Sequence, residues 1–284
     1  MKAKEIAARI EAHYGKQADG RPTCDGFVFG SPETDVTGVV TTFTVTAQVM
    51  EEARRLGANM IVTHEPTFFL ECRGDWSRTD KVFAALRELA EKNGLVIWRC
   101  HDMMHAAEPD DIYSGFLQAI GWQELAQPQV LKNVGDDKGM ENFIRDFRDY
   151  YDIPEMSLFE LATLCRERLG MPNVRIAGDM NQRCRRVAVL VGGGSQGFGR
   201  MPDLPLKLMQ EHNIDTILCG EIFELLLGTY MQDAAYLGLP GGMIVLGHER
   251  SEEWGMQFMQ TWMSRDLDVP VHFVNAGESF GYIH

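Results

Sequence analysis

Three apolar segments of this chain have the length and composition of buried β-strands, and each of them ends at a histidine. They read MIVTHE (60–65), LVIWRCHD (95–102) and MIVLGHE (243–249). In open α/β folds, ligands bind beyond the carboxyl ends of parallel strands, so side chains at those ends are able to converge. Histidines with neighbouring carboxylates at one edge of a sheet predict a metal site.

The composition indicates a globular α/β protein and excludes several functional classes. The chain has 284 residues, of which 45% are hydrophobic and 24% charged, enough for one large or two ordinary domains. A net charge of −14 argues against nucleic-acid binding. No apolar run is long enough to span a membrane, and no signal peptide is recognisable. The six scattered cysteines are typical of reduced thiols, so we expect a cytoplasmic protein.

Helical and strand patterns alternate along the chain, which predicts an α/β fold with mostly parallel sheets. Predicted strands are 36–43, 59–64, 95–101, 186–191, 215–219, 243–246 and 271–274. Predicted helices are 2–14, 44–56, 79–93, 113–120, 158–169, from 204, and about 252–263. The segment 56–65 resembles 212–221, which suggests two related halves, although chance similarity of two βα units explains it equally well.

The pattern also predicts a division into two domains. Residues 1–125 with 240–284 would form a metal-site domain, and residues 126–239 a second α/β domain. The second domain would have a polar, helix-rich start at 126–172, where Ser157 and Glu160 have the spacing of a capping box.

The candidate metal ligands fall into three groups, which are His64 with Glu65, His101 with His105, and His248 with Glu252. Residues four apart on a helix can point the same way, and imidazole nitrogen with carboxylate oxygen suits Zn²⁺, Fe²⁺ or Mn²⁺. The alternative for His64 is a turn-capping histidine, and for the glutamates a charged first turn of a helix. His101 could also orient His105 instead of binding metal itself.

A glycine-rich segment, GGGSQG (192–197), follows a predicted strand. It matches G-x-G-x-x-G in letters, but Phe198 to Pro202 separate it from the next helix, so a dinucleotide fingerprint fits poorly. Its backbone amides could still hold an anion, and a flexible loop is the alternative.

Several segments resemble the NGG-interacting-factor-like family, whose members are often named GTP cyclohydrolase I type 2 homologues. They are VTGVVTTFTVT (36–46), LGANMIVTHEP (56–66), VGGGS (191–195) and FGYI (280–283), together with the motif G-H-x-x-x-E that begins at Gly247. The resemblance implies two α/β halves, a site for two divalent metals and a ring-shaped homohexamer.

By this resemblance His64, His101, His248 and Glu252 match family ligands directly. Glu65 stands where the family has a second histidine, and His105 where it has an aspartate. A neutral imidazole has one lone pair and cannot bridge two cations as an aspartate can. We therefore expect a variant site with one or two ions.

The resulting hypothesis is a metal-dependent hydrolase acting on a small, nucleotide-like substrate through a metal-activated water. Glu253 or Asp102 would accept the proton, and the substrate would contact Gly193, Gly194, Ser195 and Glu221. The alternative is a non-catalytic metal-binding oligomer that serves as a binding or regulatory module. A nicotinamide-dependent enzyme using the glycine segment is a third hypothesis.

Overall fold

The computed structural model describes residues 1–15, 22–125, 129–130, 149–199 and 202–283. The chain divides into two compact units. The first contains Met1–Gly115 and Glu253–Ser279, and the second contains Phe116–Glu252 and Phe280–His284. The sequence prediction differs from this division because it gave 116–125, 240–252 and 280–284 to the first part.

The first unit contains a sheet that, over the described residues, has five strands in the order β1-β4-β3-β2-β11. Strands β4, β3, β2 and β11 are parallel, and β1 is antiparallel to β4. In chain order its elements are α1 (Ala3–Tyr14), β1 (Gly26–Phe29), β2 (Val39–Thr42), α2 (Ala47–Arg55), β3 (Met60–Thr63), α3 (Phe68–Glu71), α4 (Asp75–Thr79), α5 (Lys81–Lys92), β4 (Val96–Arg99), α6 (Asp102–Ala106) and β11 (Val271–Phe273).

The second unit contains a sheet that, within the described ranges, has six strands in the order β5-β6-β8-β9-β10-β7. The neighbouring pairs β8–β9 and β9–β10 are parallel, and the other three neighbouring pairs are antiparallel. Its elements are β5 (Gln129–Val130), β6 (Asp149–Ser157), α8 (Leu158–Arg168), β7 (Arg175–Ala177), β8 (Arg183–Leu190), a 3-10 helix (Gly194–Gly199), α9 (Leu204–His212), β9 (Thr216–Cys219), α10 (Glu224–Tyr236) and β10 (Gly242–Val245). Helices α7 (Asp111–Ile120) and α11 (His248–Asp266) each contain a boundary between units.

The two units repeat one arrangement of elements, as the sequence echo suggested. Apart from α3, α4, α5, α10 and the 3-10 helix, the order α1-β1-β2-α2-β3-β4 in the first matches α8-β7-β8-α9-β9-β10 in the second. In both, an antiparallel strand, β1 or β7, pairs with the last of three successive parallel strands. Glu65 and Glu221 occupy equivalent positions, two residues after β3 and β9. Each donates its backbone N–H, over 2.8 Å, to a carbonyl just beyond the neighbouring strand. The predicted α/β fold of two related halves is confirmed.

The predicted helix-rich start of the second domain is wrong for residues 149–157, which form strand β6; residues 126–128 and 131–148 lie outside the described residues. The polarity of this segment reflects cross-strand ion pairing with three arginines of β8. Those pairs are Asp152 with Arg186, and Glu155 with Arg183 and Arg185. The predicted capping box is present, and α8 begins directly after Ser157.

In the part of the chain that the structure describes, none of the helices combines the length and apolarity that crossing a bilayer requires.

Candidate metal centre

The register of two neighbouring strands explains why distant histidines meet in the first unit. Strands β3 and β4 are parallel, and their last residues, Thr63 and Arg99, are paired across the sheet. His64 therefore follows one strand where His101 follows the other, with Cys100 between His101 and the strand end. Helix α6 then brings His105 back toward the same edge.

The three imidazoles form one compact cluster, which we call the histidine cluster (His64, His101 and His105). Their ring centroids are 4.5 Å apart for 64 and 101, 5.0 Å for 64 and 105, and 4.8 Å for 101 and 105. Each residue offers one ligand atom, and these atoms all lie within 4.8 Å of one another. His64 is buried, whereas His101 and His105 are partly exposed.

Each histidine of the cluster has its Nδ1 atom next to an oxygen acceptor. The contacts are His64 to the Cys100 carbonyl (3.1 Å), His101 to Asp102 Oδ1 (2.9 Å) and His105 to Asp110 Oδ2 (2.9 Å). Because carbonyl and carboxylate oxygens only accept, the Nδ1 atoms carry the protons and the Nε2 atoms keep the lone pairs. Metal-binding histidines in proteins are typically held in this way.

Glu65 lies beside the histidine cluster and is paired with a buried arginine that sequence reasoning missed. Its Oε1 atom is 3.8 Å from His101 Nε2, and its Oε2 atom is 3.5 Å from an Arg99 guanidinium nitrogen. Arg99 also donates to the His64 carbonyl over 3.2 Å and to Glu71 over 3.3 Å. The sequence feature that could have indicated this pairing is an arginine at the end of an otherwise apolar strand.

The carboxylate of Asp102 is surrounded by hydrogen-bond donors. It accepts from Thr23 Oγ1 (3.0 Å), from the Cys24 backbone (3.0 Å) and thiol (3.3 Å), and from His101. Burial alone would raise the pKa of Asp102, but hydrogen bonds from His101 and Cys24 hold it well below its usual range. These contacts favour orientation of His101 by Asp102 over the predicted role as a proton acceptor.

A second aspartate, which sequence reasoning also missed, fixes the start of the helix that carries His105. The Asp25 carboxylate accepts the backbone N–H groups of His101, Asp102 and Met103. Acidic side chains at this position satisfy donors that a helix cannot satisfy itself. Asp25 thereby holds the backbone from which two of the three histidines project.

The second unit contains its own histidine–carboxylate group, which consists of His248, Glu221 and Glu252. The prediction that the helix starts near 252 is wrong, because α11 already starts at His248 and Glu252 therefore lies one turn further on the same helix. His248 Nδ1 is 3.0 Å from Glu221 Oε1, and its Nε2 is 3.1 Å from Glu252 Oε2. The orientation pattern of the histidine cluster thus recurs here.

The glycine segment packs against this second group. A Cβ atom on Gly192, whose φ is +54°, would lie 1.9 Å from Glu252 Oε1 and 2.8 Å from His248 Nε2. Only glycine fits there.

Several polar groups of the glycine segment are already engaged inside the fold. Backbone N–H groups of Gly192, Gly194 and Gln196 donate to Ser251 Oγ, the Val191 carbonyl and the Gly193 carbonyl respectively. The buried Ser195 hydroxyl donates to the Glu221 carbonyl. These bonds support a packing role; substrate contacts by Gly193, Gly194, Ser195 and Glu221 stay a prediction.

Of the predicted ligands, His64, Glu65, His101 and His105 lie together within the first unit, and His248 with Glu252 within the second. Binding of one ion by both sets of ligands stays a prediction. Proton transfer by Glu253, which is buried, also stays a prediction.

Comparison with known proteins places this architecture and these motifs in one family. The family model Duf34/NIF3 (NGG1p interacting factor 3) matches residues 1–278. A "GTP cyclohydrolase 1 type 2 homolog" of Clostridium perfringens is 22% identical over 257 residues, covering 89% of this chain and 88% of that protein. One of the same name from Nostoc is 30% identical over 162 residues, covering 56% of this chain and 57% of that protein.

Solved structures show the same fold. A Staphylococcus aureus hypothetical protein aligns with a TM-score of 0.72 at 18% identity, covering 100% of this chain and 99% of that one. A Bacillus cereus protein related to NIF3 aligns with a TM-score of 0.70 at 18% identity, with the same coverage. Because the family model spans nearly the whole sequence, the chain belongs to the DUF34/NIF3 family.

Proposed function

We propose that this protein is a divalent-metal-dependent hydrolase whose ion is held by His64, His101 and His105. The observation that carries the proposal is the matching set of Nδ1 contacts. Three neighbouring histidines each donate Nδ1–H to a fixed oxygen. In each ring Nε2 is therefore the nitrogen that carries the lone pair, as in histidines that bind metal through Nε2.

The residues present fit such an ion in type and spacing. Three imidazoles with a carboxylate nearby suit Zn²⁺, Fe²⁺ or Mn²⁺. Bond lengths near 2.1 Å in a tetrahedral site put neighbouring donors about 3.4 Å apart. The ligand atoms now lie within 4.8 Å of one another, so modest side-chain rotations close the site. Glu65, held by Arg99, is positioned to add an oxygen donor.

The chemistry follows from this donor set. A bound divalent ion would supply Lewis acidity and would lower the pKa of a coordinated water from that of bulk water to about 7. Asp102 and Asp110 keep the Nδ1 protons of His101 and His105 in place, so that both rings present Nε2. Arg99 pairs with Glu65 and so places a positive charge beside that carboxylate, on the side away from His101. We propose a small, nucleotide-like substrate, which the name of the curated relatives suggests. The ring-shaped homohexamer stays a prediction.

The proposal is tested with metal-depleted protein that is reconstituted with Zn²⁺, Fe²⁺ or Mn²⁺. We expect hydrolysis of GTP or of another member of a nucleotide panel, followed by chromatography, only after reconstitution and not in His64→Ala. At a hundred times the dissociation constant, the ion should raise the free energy of unfolding by about 2.7 kcal/mol. An ion that stabilises the protein without turnover of any panel member would favour the binding module instead.

A second prediction concerns Asp110, the acceptor for His105. Asp110→Asn should lower metal affinity by roughly 10- to 100-fold, the usual effect of losing such an outer partner. Asparagine keeps an oxygen for the Ile112 backbone N–H, which Asp110 Oδ1 now accepts over 2.7 Å, so the helix start should survive. Competition with a chromophoric chelator measures the affinity. Asp35→Asn, at an exposed carboxylate paired with Lys2, is the control, and equal affinities of both variants would count against the orientation role.

A further inference from the structure

Cys24, His101 and Asp102 form a second group of potential metal ligands, here called the thiol group. It contains a thiol, an imidazole nitrogen and a carboxylate oxygen, all within 4.8 Å of one another. The Cys24 sulfur is 3.3 Å from Asp102 Oδ1, and that same oxygen is 2.9 Å from His101 Nδ1. The thiol group thus uses Nδ1 of His101, whereas the histidine cluster uses Nε2 of the same ring.

The spacing of these atoms is close to that of a coordination sphere. For metal–sulfur bonds near 2.3 Å and metal–nitrogen or metal–oxygen bonds near 2.1 Å, tetrahedral neighbours lie about 3.4–3.6 Å apart. The sulfur–oxygen and nitrogen–oxygen separations of 3.3 and 2.9 Å therefore need to open by only a few tenths of an ångström. The backbone around them is fixed, because Asp25 binds three N–H groups at the start of α6 and Thr23 holds Asp102.

We propose that the thiol group is a second cation site, selective for thiophilic divalent ions such as Zn²⁺, Cd²⁺ or Co²⁺. A thiolate, an imidazole and a carboxylate form a donor set that such ions prefer over Mg²⁺ or Ca²⁺. The site goes beyond the proposed function, since it needs neither catalysis nor His64 and His105. When both sites are filled, His101 bridges the two ions through its two ring nitrogens.

Binding at the thiol group exchanges protons for metal bonds. Burial, with Asp102 and Asp25 nearby, raises the pKa of the Cys24 thiol to about 12, so the sulfur carries a proton at neutral pH. The S–H bond of Cys24 breaks, its proton passes to solvent, and the sulfur binds the ion. The Nδ1 proton of His101 moves to Nε2 through solvent when the histidine cluster is empty, and it passes to solvent when an ion already occupies Nε2. Each ion bound at this site therefore releases one proton when the histidine cluster is empty and two protons when the cluster holds an ion.

Titration of the metal-depleted protein with Co²⁺ separates the two sites. Ions in the histidine cluster give visible d–d absorption, whereas an ion on Cys24 adds an ultraviolet thiolate-to-cobalt charge-transfer band. We expect this band in the wild type and in His105→Ala, and its loss in Cys24→Ser with the d–d absorption of the histidine cluster retained. Cys72→Ser is the matched control, because Cys72 is the other cysteine that is not fully buried.

Each result of this titration decides the proposal. A charge-transfer band that survives in Cys24→Ser, or its absence from the wild type at saturating Co²⁺ and Cd²⁺, would overturn the thiol site. A failure of the proposed function would give a result distinct from a failure of the thiol site. The d–d absorption would be the same in His64→Ala as in the wild type, and the thiolate band would still be lost in Cys24→Ser.

Discussion

Replacing His105 by alanine should strip the histidine cluster of its metal. His105 supplies one of the three imidazoles that bind the ion. Losing a residue that only orients such a ligand lowers metal affinity by about 10- to 100-fold, and losing the ligand itself lowers it further. We therefore expect the metal affinity to fall by about 10³-fold or more. Elemental analysis after gel filtration should show about one ion fewer per chain than in the wild type, with the ion that remains bound at the thiol group. Hydrolysis in the reconstitution assay should fall with it.

The control for this variant is His272→Ala, at a partly buried histidine on strand β11 of the same unit. It should keep the wild-type metal content. Thermal unfolding of the metal-free proteins shows whether His105→Ala still folds, which separates loss of a ligand from loss of structure. A folded His105→Ala with unchanged metal content would remove His105 from the site.

Gly192→Ala should damage the second histidine–carboxylate group. Alanine in the left-handed region costs about 1–2 kcal/mol, and crowding of Glu252 adds roughly 1–3 kcal/mol. The new methyl group would occupy the present position of the Glu252 carboxylate, 1.9 Å away, so Glu252 and His248 must move. A displacement of about 1 Å in a catalytic site can lower the rate by about 10²-fold, and we expect a loss of that size. Turnover and denaturant unfolding measure the two effects.

Gly228→Ala is the matched substitution for this experiment. Gly228 lies within α10 of the same unit, and a Cβ atom there meets only Glu224 Cγ at 4.0 Å. It should stabilise the helix by about 0.5–1 kcal/mol and leave turnover unchanged. If Gly192→Ala retained full turnover, the prediction that His248 and Glu252 act in the reaction would be refuted.

Local pattern was sufficient to predict the parts of the site that depend on strand ends. Apolar runs of four to six residues with a following histidine placed His64 and His101 correctly, because parallel neighbours end at one edge. The spacing of Ser157 and Glu160 likewise placed the start of α8. In these cases a few adjacent residues determine the local structure.

The missed features depend on contacts between residues far apart in sequence. Asp25 reaches the start of α6 from 76 positions away, and Arg99 pairs with Glu65 across two strands. Neither contact leaves a periodic trace in the sequence. Strand β6 was mistaken for part of a helical region because its charged residues are compensated by β8, which is visible only once the two strands are paired.

X-ray absorption at the metal edge of the reconstituted protein tests the central claim most directly, since multiple-scattering features count coordinated imidazoles. Three histidine nitrogens at about 2.0–2.1 Å are expected in the first shell for Zn²⁺ bound to Cys24→Ser, which lacks the thiol group, with one fewer when His105→Ala is added. A first shell with no imidazole, or with the same imidazole count in both proteins, would contradict the histidine cluster as the metal centre.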